Sequence, residues 1–180
     1  MSRIGKKPVA IPSGVEVALD ANMIVVKGPK GTLDFEHCRD VKIAIENGFV
    51  RVAKIGGNKK NAAVWGTTTK IIANMLLGVT VGFQKQLELN GVGFRMVIAG
   101  KKINLALGFS HPVVITIPNE LEAKIENNVL TISGIDKQMV GEFAAVVRKL
   151  KPVEPYKGKG FRYVGEIVRR KEGKKATAAA

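Results

Sequence analysis

The chain has 180 residues, 46% of them hydrophobic, and a formal net charge of +14 with an isoelectric point near 10.0. That hydrophobic content supports a packed core and excludes a wholly disordered basic chain, while the charge favours a polyanionic partner, nucleic acid above all. A single cysteine, Cys38, excludes an intrachain disulfide framework, and the lack of an apolar run of about 18 residues argues against a membrane span.

Charge is unevenly spread. Residues 1–7 carry Arg3, Lys6 and Lys7 and no acid, and residues 148–175 carry eleven Lys and Arg against three Glu. The span 8–147 leaves a net of only +3, so the body is nearly balanced and the two ends are basic. No apolar stretch follows the basic start, which reads against a secretory signal. The lone cysteine suits a reduced, cytoplasmic chain.

In chain order, Ile11–Gly28 (IPSGVEVALDANMIVVKG) reads as strand, tight turn, strand. Gly28-Pro29-Lys30-Gly31 is a further turn, joining Met23–Lys27 to Thr32–Phe35. Asn47-Gly48 separates Val41–Glu46 from Phe49–Ala53, and Asn90-Gly91 separates Gln86–Leu89 from Val92–Ile98. Asn-Gly is the strongest short-range hairpin signal, because both residues accept positive φ. Between these pairs, Ile72, Met75, Leu76 and Val79 recur at helical spacing and predict a helix from Lys60 to about Leu77, with Asn58 as N-cap and Gly78 as stop. Gly66 and three threonines lower its intrinsic propensity, so packing must hold it. Gly100 with Lys101 turns the strand ending at Ala99 into Ile103–Leu107, and Asn127-Asn128 does the same between Leu121–Glu126 and Val129–Ser133. Val140, Phe143, Val147 and Leu150 form an apolar stripe on a second helix, from Asp136 as cap to about Leu150, with Pro152 beyond it.

Aligned at a constant offset of 106, Ile11–Gly28 and Ile117–Gly134 need no gap: Ile-Pro opens both, Glu16 matches Glu122, and Gly28 matches Gly134. Duplication is the economical explanation. The expected fold is α+β, two tandem duplicated domains, each a mostly antiparallel sheet packed with one long helix, plus a basic C-terminal extension. The expected domains are 1–82, with the basic arm, and 83–180, with an RNA-binding loop and basic tail. Their boundary falls near Gly82–Lys85.

The chemistry concentrates in Pro152–Tyr163 (PVEPYKGKGFRY). On an extended segment Lys157 and Lys159 point the same way and meet successive phosphates. Gly158 and Gly160 let the backbone approach a bulky ligand. Tyr156 and Tyr163 offer faces to an exposed base, and Arg162 forks onto phosphate or a guanine edge. The plain alternative is a solvated glycine-rich loop. Beyond it, Arg169, Arg170, Lys171, Lys174 and Lys175 have no apolar face to pack and are expected to be ordered by a partner. A peripheral membrane helix would need Trp, Phe or Leu on one side, so RNA is favoured over a membrane.

These residues, with Gly165–Lys175, closely resemble the C-terminal signature of the large-subunit ribosomal protein L6 family, bacterial type. So do Ser2-Arg3-Ile4-Gly5-Lys6-Lys7-Pro8, Gly66-Thr67-Thr68, Gly91-Val92-Gly93-Phe94-Arg95 and Leu107-Gly108-Phe109-Ser110-His111-Pro112. Departures are small: Phe161 and Val164 stand where Ile and Ala are expected, and Trp65 where a histidine is usual. The resemblance implies an rRNA-binding structural component of the large subunit with no enzyme activity. It also implies neighbouring ribosomal proteins as partners and a place near the stalk base and the RNA loop that stimulates translational GTPases.

Other chemistries fail on spacing. No phosphate-cradling G-x-x-x-x-G-K-[ST] occurs, and Gly91-x-Gly93 lacks the third glycine of a dinucleotide fingerprint. Gly56-Gly57-Asn58-Lys59-Lys60 is a weak phosphate candidate at a helix start. Asp34, Glu36, His37 and Cys38 alternate between faces and form no convergent metal or catalytic set. No cofactor, metal, membrane or small-molecule substrate is expected. The alternative function is a free-standing RNA chaperone or regulatory RNA-binding module, and an enzyme of unknown type is the third reading.

Overall fold

Two-residue turns set the strand registers in the computed structural model, which describes residues 2–56 and 59–173. The first unit, residues up to Phe83 with Ile135–Lys137, contains β1 (Val9–Ala10), β2 (Glu16–Asp20), β3 (Met23–Gly28), β4 (Gly31–Glu36), β5 (Val41–Glu46), β6 (Phe49–Lys54) and α1 (Lys59–Thr80). Its strands make two three-stranded antiparallel sheets, in the orders β2-β3-β4 and β1-β6-β5. The second unit, Gln84–Gly134 with the residues from Gln138 on, takes in β7 (Phe83–Asn90), β8 (Arg95–Ala99), β9 (Lys102–Ala106), β10 (Val113–Thr116), β11 (Leu121–Glu126), β12 (Val129–Gly134), α2 (Lys137–Leu150) and β13 (Gly160–Tyr163). Here the sheets run β8-β9-β10 and β11-β12-β7-β13. The protein is α+β, with two tandem sheet-and-helix units.

Each helix lays one apolar stripe on its own sheets. On α1, Ile72, Met75, Leu76 and Val79 pack with Ile24, Val26, Val41, Ile43, Val50 and Val52. Each such side chain contributes on the order of 2 kcal/mol by leaving water. Thr68 and Thr69 are also buried. The Thr69 hydroxyl donates to the Trp65 carbonyl at 2.8 Å, which satisfies a group that otherwise weakens a helix. On α2 the buried residues are Val140, Phe143, Ala144 and Val147. No helix among the described residues is long and apolar enough to cross a membrane.

Three expectations are corrected. The first concerns Gly78, which does not stop α1; the helix continues to Thr80. It ends where Val81 and Gly82 both donate to the Leu77 carbonyl, at 2.9 and 3.2 Å, with Gly82 at φ 82°. Gly78 is there for close packing: a Cβ would collide with the Ile135 carbonyl. The β3–β4 turn supplies the missing cap, as Lys30 donates its backbone N–H to Val79 O at 3.0 Å and its ammonium to Val81 O. The expected N-cap, Asn58, lies outside the described residues.

The second correction concerns Asn90-Gly91, which is not a hairpin. β7 and β8 belong to different sheets. Both edges of β7 are already taken, by β12 and β13, so the chain must leave that sheet. Gly91 allows the departure: at φ 151° it lies against Phe94, and a Cβ would sit 2.5 Å from that ring.

The third is the offset of 106. It aligns β2–β3, which sits beside β4, with β11–β12, which sits beside β7, and these are different topological positions. The equivalent hairpin is β5–β6, 80 residues before β11–β12: Val41 pairs Lys54 as Leu121 pairs Gly134, and Glu46 pairs Phe49 as Glu126 pairs Val129. Ile45, Glu46 and Asn47 recur as Ile125, Glu126 and Asn127. Turn geometry recurs with them, since Asn47 and Gly48 have φ of 49° and 77° and Asn127 and Asn128 have 47° and 62°. On this alignment β11-β12-β7 repeats β5-β6-β1, and β8-β9-β10 repeats β2-β3-β4. The false match arose because any alternating hairpin with a two-residue turn brings the same apolar register.

Two helical glycines are expected to respond in opposite ways. Gly141, in α2, has open space at its Cβ position, so Gly141→Ala is expected to stabilise by about 0.5–1 kcal/mol. Gly78→Ala is expected to destabilise by roughly 1–3 kcal/mol, from overpacking. Urea denaturation of both variants checks the sign of each.

Candidate nucleic-acid interface

The segment after α2 is folded by its own backbone. Lys151 O accepts the Phe161 N–H at 2.8 Å, and Pro152 and Phe161 form a parallel bridge. Between them Glu154 N–H donates to Lys159 O at 2.9 Å, and Gly158 N–H to Glu154 O at 3.0 Å. These bonds close Glu154–Lys159 into a compact turn, with Gly158 at φ 69°. The expected extended geometry is therefore corrected. Lys157 is exposed on the turn, Lys159 is half-buried on its return, and strand alternation does not align them.

Gly160 has a different task from the one its spacing suggested. It is buried at φ 129°, and a Cβ would lie 2.6 and 2.7 Å from the Pro152 and Lys151 carbonyl oxygens. The close approach it permits is to its own chain. At Gly158 the neighbour is the Arg170 guanidinium, 3.2 Å from where a Cβ would stand.

β13 then pairs antiparallel with β7, from Gly160 opposite Asn90 to Tyr163 opposite Leu87. Phe161 is fully buried in the second unit. Arg162 forks onto Glu88, with Nε and Nη2 donating at 2.9 and 3.0 Å. The bidentate geometry expected for phosphate or guanine is thus spent within the fold. Tyr163 carries the Lys85 ammonium and the Arg148 guanidinium over its ring, 5.5 and 5.4 Å from its centroid. Tyr156 remains 54% exposed.

The basic stretch also has partners inside the unit. Val164 N–H donates to Gln86 O at 3.1 Å, and Lys171 N–H to Pro155 O at 2.9 Å. Glu166 accepts the Tyr163 N–H at 3.0 Å and a hydrogen bond from Arg148 Nη2. The expectation that the run from Arg169 on has nothing to pack on is corrected as far as Lys171. Arg169, Arg170 and Lys171 are exposed along this folded-back segment, and Lys174 and Lys175 lie outside the described residues.

Glu166 is held below its ordinary carboxylate pKa of 4.5, first by the Tyr163 backbone N–H and then by Arg148 and Arg162, against the opposing effect of burial. Arg148 Nε, by contrast, is buried without a hydrogen-bond partner. Among the described residues no three His, Cys, Asp or Glu side chains converge as metal ligands.

The family model described as Ribosomal protein L6 matches residues 11–82 and 90–164, one stretch in each unit and the second reaching through β13. The chain belongs to the ribosomal protein L6 family. Among its relatives, a large ribosomal subunit protein uL6 from Oleidesulfovibrio alaskensis is 51% identical over 174 residues, 97% of each chain. Proteins of the same description from Magnetococcus marinus and a Nitratiruptor species are 48% and 46% identical, covering 97% and 98% of this chain and 99% of each relative.

Several residues that shape this L6-family segment escaped notice in the sequence. Glu88, Arg148 and Glu166 are the ion-pair partners that hold it, yet Glu88 lies 74 residues from Arg162, and Arg148 lies 18 from Glu166. Lys151 lies 4.8 Å from the Phe109 centroid and 5.9 Å from that of Phe94, tying the start of the segment to the two loops that carry GVGFR and LGFSHP. Phe94 and Phe109 belonged to quoted motifs; what was missing was the cation between them.

The lowered pKa of Glu166 gives a signed expectation. Its stabilisation is full above about pH 4.5 and is lost as pH falls through the lower folded-state value. Glu166→Gln is expected to cost on the order of 1 kcal/mol at neutral pH, discounted because the pair is partly exposed, and to flatten the acid-side decline. Chemical denaturation from pH 7 to 3 checks both; parallel curves for variant and wild type would show that the pair contributes no pH-dependent stability.

Proposed function

We propose that the chain binds large-subunit rRNA through its second unit, with Tyr156, Lys157, Gly158 and Lys159 on the turn and Arg169, Arg170, Lys171, Lys174 and Lys175 beyond β13 as the contacting residues. As a member of the L6 family it is a structural constituent of the large ribosomal subunit in the cytoplasm, not an enzyme. One observation supports the RNA reading most. Glu88 and Glu166 are engaged by Arg162 and Arg148, while Lys157, Arg169, Arg170 and Lys171 are exposed around a single hydrogen-bonded turn. With those two carboxylates paired inside, the four exposed cations outnumber the exposed Glu154 and Glu172, so the outward field is positive, which is what a phosphate backbone selects.

Within this reading the residues divide by task. Gly160, Phe161, Arg162 and Tyr163 seat the segment on β7. Lys157, the half-buried Lys159 and the three exposed cations of the tail reach phosphates, and Tyr156, flat and half-exposed, is placed to stack on an unpaired base. The placement near the stalk base and the GTPase-stimulating RNA loop, and any contact with translational GTPases, is supported by the family resemblance alone. A free-standing RNA chaperone would bind RNA without co-sedimenting with large subunits through high salt.

Replacing Lys157 and Lys159 together by glutamine is expected to reduce the slope of log K against log salt by about 1.5, at roughly 0.7–0.9 per phosphate contact, with no loss of fold. Gly158→Val is expected to weaken binding and also to lower thermal stability, because φ 69° strains a β-branched residue and its Cβ would press on the Arg170 guanidinium. Gly160→Val is expected to lower thermal stability further, because its Cβ meets two carbonyls of its own chain. Titration of a transcribed large-subunit rRNA fragment from low to moderate salt, with thermal melts alongside, separates the three. An unchanged slope and affinity for the double lysine variant would make this turn a solvated loop.

A further inference from the structure

We infer that the first unit holds a second, separate RNA contact, in which the folded arm Ser2–Lys7 and α1 grip the phosphodiester backbone through Arg3, Lys7 and Lys70. This rests on the reading that the chain binds RNA and adds a place of contact on the other unit.

Charge is the first support. No Asp or Glu occurs before Glu16, and none between Glu46 and Glu88, yet these two stretches hold eight Lys and Arg ahead of Phe83. Six of the seven acids of the first unit fall within 16–46, on β2–β5 and the loop before β5, and the seventh, Asp136, immediately precedes α2. The near balance of the central sequence therefore averages an acid-bearing set of strands with an acid-free helix and arm. A polyanion can approach α1 and the arm without meeting a carboxylate from either.

Preorganisation is the second. The arm is a turn, closed by Gly5 N–H to Ser2 Oγ at 3.2 Å and Lys7 N–H to Ile4 O at 3.2 Å. Two glycines seat it on the helix. A Cβ on Gly5 would lie 2.5 Å from the Trp65 ring, and one on Gly66 would lie 2.6 Å from Ser2 Oγ. Trp65 is itself fixed, donating its indole N–H to Val52 O at 2.6 Å. The backbone that carries Arg3 and Lys7 is thus folded onto the helix before any ligand arrives, which lowers the ordering cost of binding.

Shape is the third. Arg3, Lys7 and Lys70 line one open cleft between arm and helix, and no acidic residue lines it among those described. Lys70 also lines a neighbouring cleft, with Ser2, Gly66 and Thr67. Cations spaced among hydroxyls and small side chains suit phosphate and ribose oxygens. Insertion into lipid would need aromatic or leucine anchors, and Ile4 is the one large apolar residue of the arm exposed there.

The test uses the full chain and a transcribed large-subunit rRNA. Arg3→Gln, Lys7→Gln and Lys70→Gln combined are expected to flatten the salt slope by about 2–2.7, additively with the Lys157/Lys159 variant, with melting unchanged. Lys7→Arg with Lys70→Arg, which keeps the charge, is expected to keep the slope. A flattened slope for the Lys157/Lys159 variant but not for the triple variant would overturn this inference and leave the second-unit reading standing; no change in either would remove both. Unchanged RNA binding by the triple variant, with lost binding to phosphatidylglycerol vesicles or to polyglutamate, would assign the surface to another polyanion and overturn it as well.

Discussion

The candidate interface depends on the seating of β13 against β7. Phe161 goes into the core and Arg162 forks onto Glu88, so one residue supplies apolar burial and the next supplies direction. Burial of an aromatic ring is the larger contribution, on the order of 2–3 kcal/mol, but it has no preferred orientation. The planar guanidinium does, and it fixes the register in which Gly160 meets Asn90. Once that register is set, the Glu154–Lys159 turn and the returning tail have little freedom. Among the described residues β13 has no counterpart in the first unit, whose equivalent sheet stops at β1. The added strand covers an edge that would otherwise be open and turns it into a platform for basic residues.

Basic residues in this protein do two kinds of work, and side-chain chemistry separates them. Arg148 and Arg162 face inward, where a rigid fork can satisfy a carboxylate and lie over Tyr163. Lys157, Arg169, Arg170 and Lys171 stay outside. By consuming Glu88 and Glu166, the inward pair sharpens the field of the outward set. Structural ion pairs of this kind add little to stability, yet they decide which charges a ligand meets.

Composition located the basic ends correctly, but a sum over 8–147 concealed the polarity of the first unit. Acids gathered on β2–β5 cancel cations on α1 and β6 only in arithmetic. Counting the arm Ser2–Lys7 only as basic charge missed the Gly5–Trp65 and Gly66–Ser2 contacts for the same reason: each joins residues some 60 apart. From the sequence, Gly78 reads as a helix stop and Gly160 as an opening for a bulky ligand. Both are instead places where another segment's backbone comes too close for a Cβ.

Local physics determined much of this protein from the sequence alone. The α2 stripe, the left-handed turns at Asn47-Gly48 and Asn127-Asn128, the α+β class and the basic character of residues 157–171 all follow from interactions within a few residues, where side-chain spacing and φ preference suffice. What tertiary structure decided is which elements meet. It moved the internal repeat from β2–β3 to β5–β6, because hairpins with like turns share a register whatever their neighbours are. It opened Asn90-Gly91 into a crossing, because β7 had no edge left to pair. It capped α1 with Lys30 and turned Arg162 inward onto Glu88, since a carbonyl or a carboxylate supplied from far along the chain leaves no local signal of its arrival.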